Sequence, residues 1–152
     1  MPFTANPIQL GKSDPQFLSY ERPGSYALIV NEKQQLAVLK SKGGTYFLPG
    51  GGIEKGESKE DALIREVIEE AGLLVRIKEE FYNINEWFWV ESSNQNMNKQ
   101  AYFFLAQIEG EVPNGKIEDY ELLWLSLLDA SHVMGFGCEL RALEKLTATL
   151  QN

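Results

Sequence analysis

The chain of 152 residues is short of the side chains that most often mark zinc and redox chemistry, with one cysteine, Cys138, and one histidine, His132. A lone cysteine excludes an internal disulfide and suits a reducing compartment, so Cys138 is expected to pack as a small apolar side chain. The same shortage argues against a tetrahedral zinc centre. A histidine general base would have to be His132 in "DASHVMG", which is expected to be structural or at the surface. Long apolar runs are missing too: "LLWLSLL" at 122–128 falls far short of the roughly 20 residues that cross a bilayer. The start, "MPFTANPIQLGKSD", has no basic segment followed by an apolar block, which argues against secretion and for a cytoplasmic protein. Positive charge is scarce, 14 Lys and Arg against 22 Asp and Glu, for a formal net charge of -8. Such a surface repels a nucleic-acid backbone, so neither nucleic acid nor membrane is an expected partner. There is no GxSxG, HExxH or Walker motif, since "GGGIEKGES" lacks the lysine followed by Ser or Thr that a P-loop carries.

What the chain does have is the composition of a globular protein, 43% hydrophobic and 24% charged, at a length that fits one domain over 1–152. Pro2, Pro7 and Pro15 predict an extended N-terminal arm over residues 1–15. "SYALIV" at 25–30 and "QLAVLK" at 35–40 form a predicted hairpin, and "TYFL" at 45–48 is a short strand ending at Pro49. A glycine-rich, acidic loop follows. The pattern then turns helical over 58–71, with Ser58 and Asp61 as a capping box and Gly72 as the C-terminal stop. "LLVRIKEEFY", "EWFWV" at 86–90 and "QAYFFLAQI" at 100–108 are further strands, the last two joined by the polar loop "ESSNQNMNK". "ELLWLSL" at 121–127 is a final strand, and Leu140, Leu143, Leu146 and Leu150 line one face of a C-terminal helix over 138–150. Strands with a central and a terminal helix predict a mixed sheet covered by helices, an α/β (α+β) arrangement.

The central helix carries three acids in five positions, Glu66, Glu69 and Glu70. At about 100° per residue they share an arc of about 100°, and Leu63, Ile64, Val67, Ile68 and Ala71 occupy the arc beside it. The acids thus abut the apolar stripe and are expected at the rim of the core, partly desolvated and mutually repelling. Such a cluster calls for cations, and grouped hard oxygens suit Mg²⁺ or Mn²⁺. Gly50, Gly51 and Gly52 let the backbone ahead of the helix approach a ligand closely. An acidic calcium loop is disfavoured, because its ligands would wrap along a loop rather than line a helix.

From Gly51 the chain runs "GGIEKGESKEDALIREVIEEAGL", which resembles the Nudix signature G-x5-E-x7-R-E-U-x-E-E-x-G-U, where U is aliphatic. Gly51, Glu57, Arg65, Glu66, Val67, Glu69, Glu70, Gly72 and Leu73 fill its fixed positions. A chance match in a chain this size is on the order of one in ten million, which leaves coincidence out of account. The preceding "LPG" at 48–50 is also typical of that family. The resemblance implies an α/β/α sandwich with a mixed β-sheet. It also implies a Mg²⁺- or Mn²⁺-dependent hydrolase of a nucleoside diphosphate linked to another group X. Carried over position by position, Glu66 and Glu70 would be the principal metal ligands, with Glu69 beside them and the Gly50 carbonyl as a further ligand. One of these glutamates would serve as general base, and Arg65 with Glu57 would brace loop against helix. Glu118, Asp119 and Glu121 in "KIEDYELLW" are candidates for a further acid, Glu121 preferred for its place at the edge of the last strand.

Substrate choice lies outside the signature. Trp87, Trp89 and Tyr82 are candidates to stack a base, and alternation puts Trp87 and Trp89 on one strand face with Phe88 on the other. The leading expectation is a small nucleotide substrate, a nucleoside triphosphate or nucleotide sugar, cleaved to a nucleoside monophosphate plus pyrophosphate or X-phosphate. A dinucleoside polyphosphate or ADP-ribose hydrolase is the alternative; a nucleotide sensor that no longer cleaves is the alternative of another class. A homodimer is compatible with these features.

Overall fold

The computed structural model of the chain describes residues 7–134 and 137–151. Residues 1–6 of the expected arm lie outside the described residues; the rest of it carries a short strand, β1 (Ile8–Leu10), which adds in parallel to the edge of a sheet. The other elements are β2 (Ser19–Ile29), β3 (Gln35–Lys40), β4 (Tyr46–Phe47), β5 (Gly50–Gly52), α1 (Lys59–Ala71), β6 (Leu73–Val90), β7 (Gln95–Glu111), β8 (Glu121–Ser126), α2 (Leu127–Val133) and α3 (Cys138–Leu150). A five-stranded mixed sheet runs β1-β6-β7-β2-β5, and a three-stranded sheet runs β4-β3-β8.

Alternation along the strands decides which helix covers which face. Ala27, Ile29, Phe104, Ala106 and Val75 pack against Leu63 and Val67 of α1. Their neighbours Leu28, Ala101, Phe103 and Ile84 point the other way, against Ala142, Leu143 and Leu146 of α3 and Ala130 of α2. The layers are therefore helix, sheet, helix, as the order of elements predicted.

Four details differ from the sequence reading. β2 and β3 are not a full hairpin: they share the turn at Asn31–Gln35 and one bridge, Val30↔Leu36, then part into different sheets. The glycine triplet is a strand rather than a loop, with Gly50 opposite Tyr26, Gly51 opposite Ser25 and Gly52 opposite Gly24. "LLVRIKEEFY" and "EWFWV" are one strand, β6: Asn83, Ile84 and Asn85 between them pair in regular register with Tyr102, Ala101 and Gln100 of β7, and the bulges of the ladder lie earlier, between Leu74 and Tyr82. The loop between β6 and β7 is correspondingly short, turning through Asn94 at φ 51, and residues 95–99 of the expected loop already pair. The short helix α2 has too few residues to show a periodicity; its Ser126 cap accepts from Asp129 N at 3.0 Å.

Candidate active site

The site begins with the ends of α1. Ser58 Oγ accepts from Asp61 N at 3.0 Å, and Gly72, at φ 68, donates its N–H to Ile68 O at 2.8 Å, so both ends are closed by local chemistry. That places Leu63 and Val67 in the core and leaves the acids at its border. Glu70 goes further than the border: at 6% exposure it is the one charged residue among the buried described residues.

Glu70 Oε1 accepts from Gly50 N at 2.8 Å. Burial still pushes its pKa up to about 8, with Glu66, Glu118 and Glu69 adding to the rise and the Gly50 N–H opposing it. Glu66 is pushed up by burial as well, while Arg65 pulls it down. The two carboxylates border the same short strand. A Cβ on Gly51 would stand 2.7 Å from the Glu66 carboxyl carbon, so glycine there is what lets the acid lie against β5. Gly50 has φ 143, and a Cβ on it would meet Tyr26 Cα at 2.6 Å.

Arg65 is the internal counter-charge. Its Nε donates to Glu57 Oε2 at 2.6 Å and its Nη2 to Glu57 Oε1 at 3.0 Å, a bidentate pair. Nη2 also donates to the Gly52 carbonyl at 3.1 Å, and Nη1 to Glu66 Oε1 at 3.0 Å and Glu69 Oε2 at 3.3 Å. Glu57 also receives the N–H of Glu54, and the hydrogen bond from Arg65 is the main reason its pKa falls to about 2. One guanidinium thus ties loop, strand and two of the three helix acids together, and leaves Glu70 without a cation.

The donor set fits a hard divalent cation: carboxylate oxygens, no sulfur or imidazole, and a buried acid held neutral near pH 7 for want of positive charge. Among the described residues no three Asp, Glu, His or Cys side chains already converge as a cage, because Arg65 holds Glu66 and Glu69.

The other candidates are spread out. Of the downstream acids, Glu118 is the one that acts on Glu70, since Ile117 and Glu118 donate their N–H groups to Glu69 O at 2.9 and 3.0 Å and so lay the 112–118 segment across the end of α1. Asp119 pairs with Lys42 at the surface, and Glu121 opens β8, exposed and opposite Lys40. The sequence offered Glu118 as one of three candidates and preferred Glu121; the closing of the 112–118 segment over the end of α1 is what brings Glu118 near instead. Tyr82 lies under Lys145 Nζ, 4.4 Å from the ring centroid. Trp89 packs edge-on against Phe17 at 4.8 Å, and the Trp87 backbone lies against Gly11. Both tryptophans thus meet the N-terminal segment. His132 is exposed on α2, and Cys138 is buried, its thiol pushed up to about 12 chiefly by burial.

The NUDIX domain model matches residues 21–141. A Bacillus subtilis protein named "Putative 8-oxo-dGTP diphosphatase" is 42% identical over 106 residues, 68% of this chain and 65% of that protein. The Buchnera aphidicola 8-oxo-dGTP diphosphatase is 32% identical over 117 residues, 77% of this chain and 81% of its own length. Several other curated relatives are spanned by less than half, 40% in the case of a Mycobacterium tuberculosis protein. Among solved structures, a hydrolase of the same family from Nitrosomonas europaea superposes with a TM-score of 0.69 at 17% identity, over 86% of this chain and 90% of that one. Among the described residues no helix is long and apolar enough to cross a membrane.

Proposed function

The chain belongs to the NUDIX family, and from that premise we propose that it is a cytoplasmic, Mg²⁺- or Mn²⁺-dependent pyrophosphohydrolase formed as one domain. Its substrate in this reading is a nucleoside triphosphate, cleaved to a nucleoside monophosphate and pyrophosphate. The observation that carries the reading is Glu70: a buried carboxyl with a raised pKa, held against Gly50 within the field of Glu66 and Glu69. A buried acid that repels its neighbours costs stability, and a bound cation is what removes that cost. The names of the Bacillus and Buchnera relatives favour a triphosphate over a nucleotide sugar.

In this mechanism Glu66 and Glu70 would hold the cation, with Glu69 and the Gly50 carbonyl as further candidates beside them. When bound, a divalent cation supplies positive charge for the phosphoryl oxygens and makes a water easier to deprotonate. One of these glutamates would serve as the general base. Arg65 and Glu57 act by position: the bidentate pair keeps the helix acids aimed at β5. The sensor alternative is disfavoured by the intact set of glutamates.

The test is a substrate panel with Mg²⁺ and Mn²⁺ over nucleoside triphosphates, nucleotide sugars, ADP-ribose and dinucleoside polyphosphates. Wild type should turn over a triphosphate only with metal, and Glu66→Gln and Glu70→Gln should each lose ~10²-fold or more in kcat. Equal activity in the variants, or none across the panel, would sink the enzymatic reading.

A further inference from the structure

β2 and β3 share a turn and then part into different sheets, and where they part the chain leaves a cavity of about 860 Å³. β2 stops at Ile29, opposite Ala106, while β7 runs on beside β6 to Glu111. Past Ala106 the edge of β7 that β2 would have covered is open, and Gln107 and Ile108 line the cavity there. Leu105 and Leu146 line it from the core on the α3 side of the sheet, and Trp124 of β8 from the core on the α1 side. The space thus wraps around a bare strand edge between two apolar walls. Its volume is in the range of cavities that hold small organic ligands. None of Glu57, Arg65, Glu66, Glu69 and Glu70 lines it.

The polar groups around this cavity are biased toward one sign. In the ladder of β6 with β7, Ile77 pairs with Ala106 and Glu79 with Leu105, so Lys78 is the extra residue of a bulge. A bulge re-aims its side chain, and Lys78 lines the cavity. Lys33 lines it from the turn, which Asn31 Oδ1 fixes by accepting the N–H groups of Lys33 and Gln35 at 3.0 and 2.9 Å. Among the described residues neither lysine enters an ion pair. Two amides on the lining add to the same sign. Gln107 Oε1 accepts from Arg76 at 3.2 Å, and Gln35 Oε1 accepts from Asn31 Nδ2 at 3.0 Å. In both side chains the oxygen is engaged and the NH₂ group is left to donate. Glu32, exposed, is the one acid among the described lining residues. On a chain of formal charge -8, two cations and two amide donors around an apolar floor reverse the average of the surface. Such a rim favours an anionic head, and such a floor favours hydrocarbon.

We infer that this cavity is a second ligand site, which takes an amphiphilic anion: a carboxylate carried on a medium-length alkyl chain. The head group meets the lysine and amide donors of the rim, and the chain lies against Leu105, Leu146 and Trp124. A nucleotide suits the site less well, because a purine edge presents donors as well as acceptors, and the amide oxygens of Gln35 and Gln107 are already taken. A cationic head of the same chain length would face Lys33 and Lys78. The inference stands apart from the hydrolase reading, since the cavity and the glutamate cluster share no residue.

The experiment uses the full chain and reads binding directly. Octanoate, decanoate and dodecanoate are titrated by calorimetry below their micelle concentrations, with dodecyltrimethylammonium as the cationic control. Tryptophan fluorescence is followed in wild type and Trp124→Phe, and the titrations are repeated with Lys33→Met, Lys78→Met and with GMP present. One carboxylate should bind per chain, each added CH₂ tightening binding by about 4-fold. Dodecanoate should bind at least ~10-fold tighter than the cation. Each lysine variant should weaken the carboxylates by about 3- to 10-fold and leave the cation no weaker. The fluorescence change should vanish in Trp124→Phe, and GMP should not displace the ligand. No saturable binding at millimolar carboxylate would overturn the inference. So would equal binding of the cation by wild type, a result that needs no variant to fold. Lysine variants that bind as wild type does would leave only adsorption to apolar surface. Displacement by GMP would make the cavity part of a nucleotide site and overturn it too.

Discussion

At the scale of single residues, the two glycines that open β5 look alike in sequence and differ in what they permit. Gly50 needs glycine for its backbone, at φ 143 with Tyr26 Cα 2.6 Å from any added Cβ. Gly50→Ala is expected to destabilise the fold by about 3 kcal/mol, from backbone strain plus a clash with a neighbouring main chain, measured by urea unfolding. Gly51→Ala instead pushes on the end of a flexible side chain, Glu66. Its unfolding free energy should change by less than about 1 kcal/mol while kcat falls ~10-fold or more, because the proposed metal ligand Glu66 would be moved by about an ångström. Equal stability loss in both would mean that Glu66 does not rest where Gly51 leaves room.

Glu70 makes a prediction of its own in the metal-free protein. Its pKa, near 4.5 unfolded, stands at about 8 folded, so between those values the folded state holds a proton that the unfolded state has released. The stability tied to this proton is complete below pH 4.5 and lost as pH rises toward 8. In chelator, Glu70→Gln should therefore be more stable than wild type at pH 8, by on the order of 2 kcal/mol, with the two converging near pH 5. Equal pH profiles for the two proteins in EDTA would contradict the buried charge.

At the scale of elements, α1 was the most legible part of the chain. Its start, its stop and its buried stripe follow from Ser58, Gly72 and the spacing of Leu63 and Val67, all interactions within a few residues. Ser58→Ala should cost about 1 kcal/mol in denaturant unfolding through loss of the bond to Asp61 N, with kcat nearly unchanged. A larger loss in activity than in stability would mean that the helix start also positions the acids. The strands were harder to read. β6 looks like two segments because the polar Asn83 and Asn85 stand between them, and the ladder to β7 that makes it continuous is a contact between residues far apart in sequence. The glycine strand β5 carries no alternation at all, and only its pairing with β2 makes it a strand.

At the scale of the whole molecule, net charge and site act together. A chain of formal charge -8 with a buried, repelling acid cluster gains stability from any cation that binds the folded state alone. Millimolar Mg²⁺ or Mn²⁺ should raise the melting temperature of wild type, and much less that of Glu70→Gln; an unchanged melting temperature would argue against a preformed site.

The sequence by itself determined the helix, its acids, the brace of Arg65 on Glu57 and the family, since a local periodic element and a dense signature need no knowledge of distant contacts. The tertiary structure alone decided that Glu70 is buried while Glu69 is held by Arg65, and that Glu118 rather than Glu121 reaches the cluster. Burial and the electrostatics that follow from it depend on which strands and helices pack over a side chain, and no spacing along one element records that.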